Sequence, residues 1–537
     1  MKRIVFLIIA SLLVIGLVLP GCTETGGEFE KWIDIAITGP MTFDQGKQCW
    51  QGAVSARDDI NDAGGVDIGG VMHGVRLTKV DTNEISDITG TDGVNALTAV
   101  IDDMDFVLDG FQETASAAYR EVALDRGIIF VNSGVSTVPP YMDVLNDYEH
   151  YKYYFQGNVF NDYFLDQQFS GIFSLVMAYA FGVAEALNVT FEPKIAIVAE
   201  DETWVEPSVQ GMEDFLKPLD WWVGTWRPSM TAGSGEVLTM MADIAPYDPH
   251  FIYFIVSGPV GVSISKNVRQ GVPGAIVVGS NTEGQRREFA ELTTYDPNED
   301  PGCAYEIIGD FFTPGVALTS KTVDWFDDYV ERWGNYPTYI AGSYDSLSYL
   351  MHDVETAVAA LNATSIDDVV SAENIDVLIQ IREHSTYEGI GAKYGYFPMP
   401  IELEEPVVNP LYGINTTYVL SEEVVNELYP HLSEYGMAYN ASYWTVPPHV
   451  PHCVVGGSDW AAGIGNQWQE VSPGKWDKVA IWPAPLFDPG DYGTTEEYYA
   501  AMMGYNWLNQ WGNYNFSYEG SGELILPDWW IAHHFGG

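Results

Sequence analysis

Basic residues are scarce in this sequence of 537 residues. It contains 23 Lys and Arg against 75 Asp and Glu, and its formal net charge at pH 7 is −52. Such an excess of negative charge repels phosphate backbones, which argues strongly against a nucleic acid as partner. The same charge keeps a surface well hydrated, which suits a salty exterior or a cation-rich cell wall.

Cysteine is also rare, with four in the whole chain. Cys22 lies in the N-terminal segment, and Cys49, Cys303 and Cys453 remain for the rest of the chain. Three cysteines allow at most one internal disulfide and leave one thiol over. The sequence leaves the pairing open.

Long apolar runs are absent after the N-terminus, so no membrane span is predicted there. At the N-terminus, Lys2 and Arg3 precede an apolar run from Ile4 to Leu19, as in an export signal. The following Cys22 is typical of lipoproteins in which that cysteine is acylated, so residues 1–21 are predicted to be a signal peptide. The alternative is an uncleaved signal anchor, although the run is shorter than the about 20 residues that a span usually needs. Both interpretations place the rest of the chain outside the cytoplasmic membrane.

Catalytic motifs are missing as well. The sequence has no Gly-x-Ser-x-Gly elbow and no His-Glu-x-x-His zinc helix. His449, His452 and Cys453 have metal-capable side chains at close spacing, but they stand in a Pro-rich stretch that we interpret as a surface loop rather than a metal site. The sequence therefore predicts neither an enzyme nor a cofactor.

The sequence does contain short apolar runs that alternate with helical patterns. The first array begins at the run Ile33–Ile37, and the second begins at Lys194–Ala199 after a long helix near Gln168–Leu187. Continuous apolar runs bounded by glycine are typical of strands buried on both faces of a parallel sheet. The predicted fold class is therefore α/β, with two doubly wound parallel-sheet lobes covered by helices.

Several segments, taken in order, resemble the substrate-binding proteins of branched-chain amino-acid ABC importers, which have the type I periplasmic-binding fold. The segments that carry the resemblance are Ile35–Pro40, Asp59–Val66, Gly127–Val131, Lys194–Val198, Tyr344-Asp345, Gln467-Trp468 and Val479–Pro483. The resemblance implies two lobes joined by three chain crossings, near Phe155, Gly309 and Gly391, with the ligand between the lobes at the carboxyl ends of the strands. Closure about those hinges would be the functional motion.

The resemblance also sets the expected domain boundaries. Lobe 1 is predicted to comprise residues 31–155 and 310–395, and lobe 2 residues 156–309 and 453–490. The remaining segments are a linker at 22–30, an insertion at 396–452 and an aromatic-rich C-terminal extension at 491–537.

The function that the resemblance implies is capture of a small molecule, an amino acid or a related amide, and its delivery to an ABC permease. A lipid on Cys22 would hold the protein at the outer face of the cytoplasmic membrane. Five Asn-x-Ser/Thr triplets further predict glycosylation, and they begin at Asn188, Asn362, Asn415, Asn440 and Asn515. The alternatives are a ligand-sensing receptor domain on the same fold and, less favoured, a secreted hydrolase with its active site in the C-terminal third.

Two strand-to-helix loops of lobe 1 supply the first candidate ligand contacts. The loop 110–116 offers a helix N-terminus, whose free N–H groups suit a carboxylate, and in the relatives this loop carries serines that hold one. The loop 132–136 follows the next strand. Helix capping and turn formation are the competing interpretations. The candidate residues are Gln112, Glu113, Thr114, Ser116, Gly134 and Ser136.

Lobe 2 supplies Trp204, which aligns with an aromatic that covers the ligand in relatives and suits cation–π contact with an ammonium group, and Ser257, which ends a strand. Asn281 stands where relatives often have an acid for the ammonium group. Either Glu283, Glu113 or Glu200 supplies that charge, or the ligand is not a simple α-amino acid. Trp50 and Tyr344 are predicted to wall the site, with core packing as the alternative.

Overall fold

The structure is a computed structural model that describes residues 29–158, 161–410, 412–430, 439–456, 460, 463–482 and 522–535. The predicted signal peptide, Cys22 and the glycosylation triplet at Asn515 lie outside the described residues. The other four triplets begin at exposed asparagines.

The first sheet has six strands in the order β2-β3-β1-β4-β5-β6. Its strands are β1 (Lys31–Gly39), β2 (Val66–Ile68), β3 (Val71–Asp81), β4 (Phe106–Leu108), β5 (Phe130–Asn132) and β6 (Tyr154–Gln156). All neighbours are parallel except β2, which pairs antiparallel with β3. The predicted first strand lies at the centre, because the apolar run Ile33–Ile37 is covered on both faces.

The second sheet has seven strands in the order β17-β16-β11-β10-β9-β7-β8. Its strands are β7 (Ile195–Ala199), β8 (Trp222–Trp226), β9 (Phe251–Val256), β10 (Ile276–Asn281), β11 (Ile307–Asp310), β16 (Ile464–Ser472) and β17 (Lys475–Trp482). The first five are parallel, and the hairpin of β16 and β17 joins antiparallel to β11. Successive residues of β9 belong to different hydrophobic clusters, so both faces of this sheet are buried.

Helices cover the two sheets. They are α1 (Asp44–Asp62), α2 (Thr91–Thr98), α3 (Glu113–Leu124), α4 (Pro139–Asn146), α5 (Tyr148–Tyr151), α6 (Asp162–Leu187), α7 (Glu206–Leu216), α8 (Ser234–Ile244), α9 (Val260–Gly271), α10 (Phe289–Thr293), α11 (Thr322–Trp333), α12 (Ser343–Leu361), α13 (Ile366–Val370), α14 (Ile375–His384), α15 (Glu422–Leu428) and α16 (Asp528–Phe535). In lobe 1, α12 packs against α1 and α14, while α2 packs against α3. In lobe 2, α8 packs against α9, and α6 contacts β10, β11 and the β16–β17 hairpin.

Helix α6 is long and apolar enough to cross a membrane by length and composition alone, which differs from the expectation that no later segment would be. Its residues Ile172, Val176 and Ala180 are fully buried in the hydrophobic cluster beside the second sheet. The apolar composition therefore has a structural cause, because one face of this helix covers a wide sheet.

The segment predicted to be an insertion packs into lobe 1. It contains a hairpin, β14 (Ile401–Val408) and β15 (Asn415–Val419), and several of its apolar residues extend the core cluster of the first sheet, namely Leu420, Val425, Tyr429, Val446, Val450, Cys453, Val454 and Val455. A further small hairpin, β12 (Tyr387–Glu388) and β13 (Lys393–Tyr394), precedes it.

The chain passes from the first sheet to the second after Gln156 and returns after Asp310. It rejoins the second sheet at Ile464, far beyond the crossing expected near Gly391.

The expected surface loop with two histidines and a cysteine is wrong, because all three residues are buried. The His452 ring stacks on Phe155 at 4.0 Å, its Nδ1 lies 2.9 Å from the Tyr154 carbonyl oxygen, and its Nε2 lies 2.8 Å from Glu383 Oε1. His449 Nδ1 lies 3.0 Å from the Thr445 carbonyl oxygen, and burial lowers the pKa of His449 to about 4. These contacts join the segment to β6 and α14.

The C-terminal end of the chain packs on lobe 2. The Gln467 side chain donates to the Ile525 carbonyl and accepts from the Ile525 N–H, at 2.7 and 2.8 Å. From helix α16, Trp530 is fully buried against Phe251 and donates to the His250 carbonyl at 3.1 Å. Part of the predicted C-terminal extension thus completes the core of the second sheet.

A buried ion pair holds the β16–β17 hairpin where the chain leaves the second sheet. Lys478 and Asp310 have fully buried side chains, and Asp310 also accepts from Asn466 Nδ2 at 2.8 Å. The Lys478→Met substitution leaves a carboxylate buried without its cation, so we expect the free energy of unfolding to fall by about 3–5 kcal/mol. Urea denaturation measures this loss.

The matched control is Lys475→Met in the same strand, because the Lys475 side chain is 68% exposed and its ion pair with Asp477 is long. It should change stability by less than about 0.5 kcal/mol. Equal effects of the two substitutions would contradict the role of the buried pair.

Candidate functional site

A cavity of about 80 Å³ lies between the lobes, at the carboxyl ends of the strands of both sheets. A single water needs about 10–15 Å³ by this measure, so the cavity has room for a small molecule. Its lining residues are Phe111, Gln112, Glu113, Gly134, Val135, Ser136, Thr137, Leu165, Gln168, Phe169, Trp204, Met230, Ser257, Ser280, Thr282, Gln285, Gly309, Phe311 and Tyr339.

Gln112 organises the loop between β4 and α3. It is the N-cap of α3, and its side-chain oxygen accepts from the Ala115 N–H at 2.7 Å. Its own N–H donates to Glu84 Oε2 at 3.0 Å, and Glu84 is buried behind the loop. The loop is therefore held by the side chains of Gln112 and Glu84, and Glu113, in the first turn of the helix, reaches the cavity.

Asn132 organises the loop after β5, as Gln112 organises the loop after β4. Its Oδ1 accepts from the N–H groups of Gly134 and Val135 at 3.1 and 3.0 Å. A Cβ on Gly134 would lie 2.0 Å from the Gly110 carbonyl oxygen, so only glycine allows the two loops to approach this closely. Ser136 and Thr137 follow and line the cavity.

Glu200 fixes the side of the cavity that lobe 2 forms. Its carboxylate accepts from the N–H groups of Ser257 and Gly258 at 3.0 and 3.1 Å, and from the Ser257 hydroxyl and Trp204 Nε1, each at 2.6 Å. Burial raises the pKa of Glu200, while these donors oppose that shift. Because all four partners donate, they favour the ionised form, and they hold the Trp204 ring against the cavity.

The lobes touch at one edge of the cleft. Gln45 of α1 donates to the Ser257 carbonyl and to Glu283 Oε1, both at 3.1 Å. Beside it, Arg286 of lobe 2 pairs with Asp44 of α1 and with Glu283. These contacts join the lobes without filling the cavity.

Several carboxyl groups in or behind the elements that line the cavity have raised pKa values. Burial raises the pKa of Glu113 and raises the pKa of Asp166 to about 7. Burial, together with the charge of Asp166, raises the pKa of Asp162 to about 8. Behind the lobe 1 loops, burial raises the pKa values of Glu84 and Asp109 to about 7.

The structure brings half of the predicted ligand residues to the cavity: Gln112, Glu113, Gly134, Ser136, Trp204 and Ser257. Whether they bind ligand stays a prediction. The structure places the other predicted residues outside the cavity lining: Trp50, Thr114, Ser116, Asn281, Glu283 and Tyr344.

Each of the residues outside the lining is exposed or has other partners. Thr114 is exposed, and Ser116 accepts from Asn132 Nδ2 at 2.6 Å. Asn281 is fully buried and donates to Glu306 Oε1 at 2.7 Å. The Trp50 ring lies under Lys79 Nζ, 4.6 Å from its centroid, and the Tyr344 hydroxyl donates to Asp59 at 2.7 Å. Glu283 belongs to the contact between the lobes described above.

Several lining residues were missed by the sequence analysis. Gln285 donates to the Gly309 carbonyl and accepts from the Tyr339 N–H, both at 3.1 Å, so it connects lobe 2 to a turn of lobe 1. Thr137 directly follows a predicted loop and could have been included with it. Tyr339 and Phe311 come from segments after the second crossing that carry no sequence signal for a site.

Two groups of side chains outside the cavity have the spacing of metal ligands, among the residues that the structure describes. Asp248, His533 and His534 form one group, and Glu121, Asp125 and His150 form the other. In each group a histidine already lies 2.8–2.9 Å from a carboxylate of the same group. Neither group contributes to the cavity lining.

Solved structures with a similar fold identify the architecture. The leucine binding protein of Thermotoga maritima MSB8 is 14% identical, with a TM-score of 0.50, and the alignment covers 86% of this chain and 100% of that one. An ABC transporter substrate-binding protein from Sphaerobacter thermophilus is 11% identical, with a TM-score of 0.52 and coverage of 84% and 97%. A solute binding protein of an ABC transporter from R. palustris, solved with benzoate, is 12% identical, with a TM-score of 0.50 and coverage of 73% and 98%.

These similarities confirm the predicted type I periplasmic-binding fold, with its two parallel-sheet lobes. No protein-family model matches the sequence, and no curated protein matches it. At these identities the similarity concerns the fold alone.

The raised pKa values predict how stability depends on pH. Between about pH 4 and pH 7–8 the folded chain keeps protons on Glu84, Asp109, Asp162 and Asp166 that the unfolded chain has lost. Stability is therefore highest at the acidic end of this range and falls as pH rises through the folded pKa values, and repulsion among the many acidic groups acts in the same direction. We expect the melting temperature to fall by at least about 5 °C from pH 5 to pH 8 at constant ionic strength.

The Asp162→Asn variant should reduce this slope, because it removes the carboxyl with the pKa of about 8. Asp103→Asn, which alters an exposed carboxyl, should leave the slope unchanged. A melting temperature that is constant or rises over this pH range would contradict the assignment.

Proposed function

We propose that this protein is an extracytoplasmic solute-binding lipoprotein of an ABC importer. It captures a small molecule, an amino acid or a related amide, by closure of the two lobes, and the closed form delivers the solute to a permease. The similar solved structures are solute-binding proteins of ABC transporters, including a leucine binding protein and one solved with benzoate, which supports this class of function.

The observation that carries the proposal is a cavity lined by both lobes. Gln112, Glu113 and Ser136 reach it from lobe 1, whereas Trp204 and Ser257 reach it from lobe 2. A molecule bound there contacts both halves at once, so it binds the closed form better than the open form and shifts the equilibrium toward closure. The lining combines a few polar groups with aromatic and apolar side chains, as small-molecule sites usually do.

The proposed location rests on the N-terminal sequence. A signal peptide at residues 1–21 and acylation of Cys22 would place the protein at the outer face of the cytoplasmic membrane. The exposed asparagines at positions 188, 362, 415 and 440 are accessible to a glycosylation enzyme, which supports a glycoprotein. The strong negative charge is compatible with that location.

A thermal-shift screen against amino acids, their amides and small aromatic acids tests solute capture. A ligand at 100 times its Kd should stabilise the protein by about 2.7 kcal/mol, because it binds the folded state alone. The Trp204→Ala variant should weaken binding of the hit about ten-fold or more, since it removes the ring that covers the cavity.

Trp50→Ala is the matched control, because that ring lies beside Lys79 outside the cavity lining. It should leave the affinity unchanged. A screen in which no compound shifts the melting temperature of the wild-type protein would overturn the proposal.

The lipid anchor is tested separately by the Cys22→Ser substitution. Serine has no thiol for the acyl-bearing thioether, so we expect the variant to lose labelled fatty acid and to leave the detergent phase in a phase-separation assay. The wild-type protein from the same cells should carry the label and begin at residue 22. A wild-type protein that keeps residues 1–21 and carries no lipid would favour the uncleaved signal anchor.

A further inference from the structure

Several backbone N–H groups that could hold an anion in this cleft are engaged within the protein. After β4, the N–H of Gln112 binds Glu84 and that of Ala115 binds the Gln112 side chain. After β5, the N–H groups of Gly134 and Val135 both bind the Asn132 side chain. These are the loops in which the sequence analysis expected a ligand carboxylate.

The lobe 2 loop repeats this arrangement. The N–H groups of Ser257 and Gly258 both point at one oxygen of Glu200, and the Trp204 indole N–H points at the other. A ligand carboxylate would have to compete with a buried carboxylate for the same donors. The loop is therefore already occupied by a negative charge that belongs to the protein.

Positive charge is also lacking at the cavity. Glu113 is the one charged residue among the described lining residues. In the contact between the lobes, the Arg286 guanidinium pairs with Asp44, Glu283 and Glu288. Every Lys and Arg of the chain except Lys2 and Arg3 lies in the described part, and none lines the cavity.

Oxygen atoms that can accept from a cation, in contrast, are available. The Thr137 side chain lines the cavity and is 4% exposed, and its hydroxyl faces the Glu113 carboxyl. Glu113 lies beside it and forms no ion pair with a described residue. Burial, the charge of Asp166 and, to a smaller extent, the charge of Glu113 raise the pKa of Asp162, so the Glu113 carboxyl lies near that of Asp162.

We infer that the solute is a cationic amine without a free carboxylate, and that Glu113 and Thr137 bind its ammonium group. This inference rests on the proposed function and narrows its substrate class. An ammonium has three donors and no acceptor, so it can donate to both the Glu113 carboxylate and the Thr137 hydroxyl oxygen. The Trp204 ring, fixed by Glu200, offers a π face to the same cation, and Phe111, Phe311 and Tyr339 cover its apolar part.

Ligands that share a carbon skeleton but carry different charges test which charge the site prefers. We would measure Kd by calorimetry for 3-methylbutylamine, leucinamide, leucine and 4-methylpentanoate, and for the matched set of tyramine, tyrosinamide, tyrosine and 3-(4-hydroxyphenyl)propionate. In at least one set the amine and the amide, both cations, should bind at least ten-fold more tightly than the zwitterion. The free acid should bind most weakly.

Glu113→Gln keeps the shape of the side chain and removes its charge, so it should reduce the preference for the amine at least ten-fold. Glu113→Asp, which restores the charge, should recover part of that preference. The matched control is Glu185→Gln, which neutralises an exposed acid on α6 and should leave all affinities unchanged.

The outcomes distinguish this inference from the proposed function. Tighter binding of the amino acid or of the free acid, or an unaltered preference in Glu113→Gln, would overturn the inference and leave solute capture in place. No saturable binding of any member of either set, together with no hit in the wider thermal-shift screen, would overturn both.

Discussion

Buried side-chain acceptors close the strand-end loops that form the cleft. Gln112 follows β4, Asn132 ends β5 and Glu200 follows β7, and each accepts backbone N–H groups that would otherwise be unsatisfied at the end of a strand or the start of a helix. Loops held in this way do not need a ligand to be ordered. The N–H groups that these side chains accept from are therefore not available to a ligand, so the same contacts that give the cavity its shape also limit the donors it offers. The position of Trp204 depends on this constraint as well, because the same carboxylate of Glu200 that holds the loop also holds the indole.

The alternation of strands and helices could be predicted because most strands are buried on both faces and read as continuous apolar runs. The predicted runs at 33–37, 194–199 and 251–256 all lie in strands or directly beside them.

The candidate site was predictable only in part. A loop between a parallel strand and its helix lies at the carboxyl edge of a sheet, which is why Gln112, Gly134 and Ser257 were located. Whether a given side chain turns toward the cavity depends on the path of the loop, which is why Ser116 and Asn281, each close to such a loop, contact the protein interior instead.

The segment after residue 396 could not be placed from its sequence, for a physical reason. The contacts that attach it to lobe 1 are with earlier parts of the chain: His452 with Tyr154 and Glu383, and Tyr396 with the buried guanidinium of Arg382. Such contacts produce no helical or strand periodicity, and a Pro-rich stretch of polar and aromatic residues has the composition of a surface loop. The same holds for Trp530, whose burial depends on a groove formed by β9 and the segment around Phe191.

The contacts between the lobes bear on how a ligand could control closure. Arg286 keeps Glu283 and Glu288 as partners within lobe 2 when it separates from Asp44, so separation at this edge of the cleft breaks one ion pair and the two hydrogen bonds of Gln45 without leaving the arginine unpaired. Each such contact is worth about 1 kcal/mol in net free energy, because water replaces the lost partner. The contribution of these three contacts to closure is therefore a few kcal/mol, comparable with the differential affinity of a small ligand. If the protein works as proposed, a molecule in the cavity can offset their loss or add to them and so shift the balance between the open and closed forms.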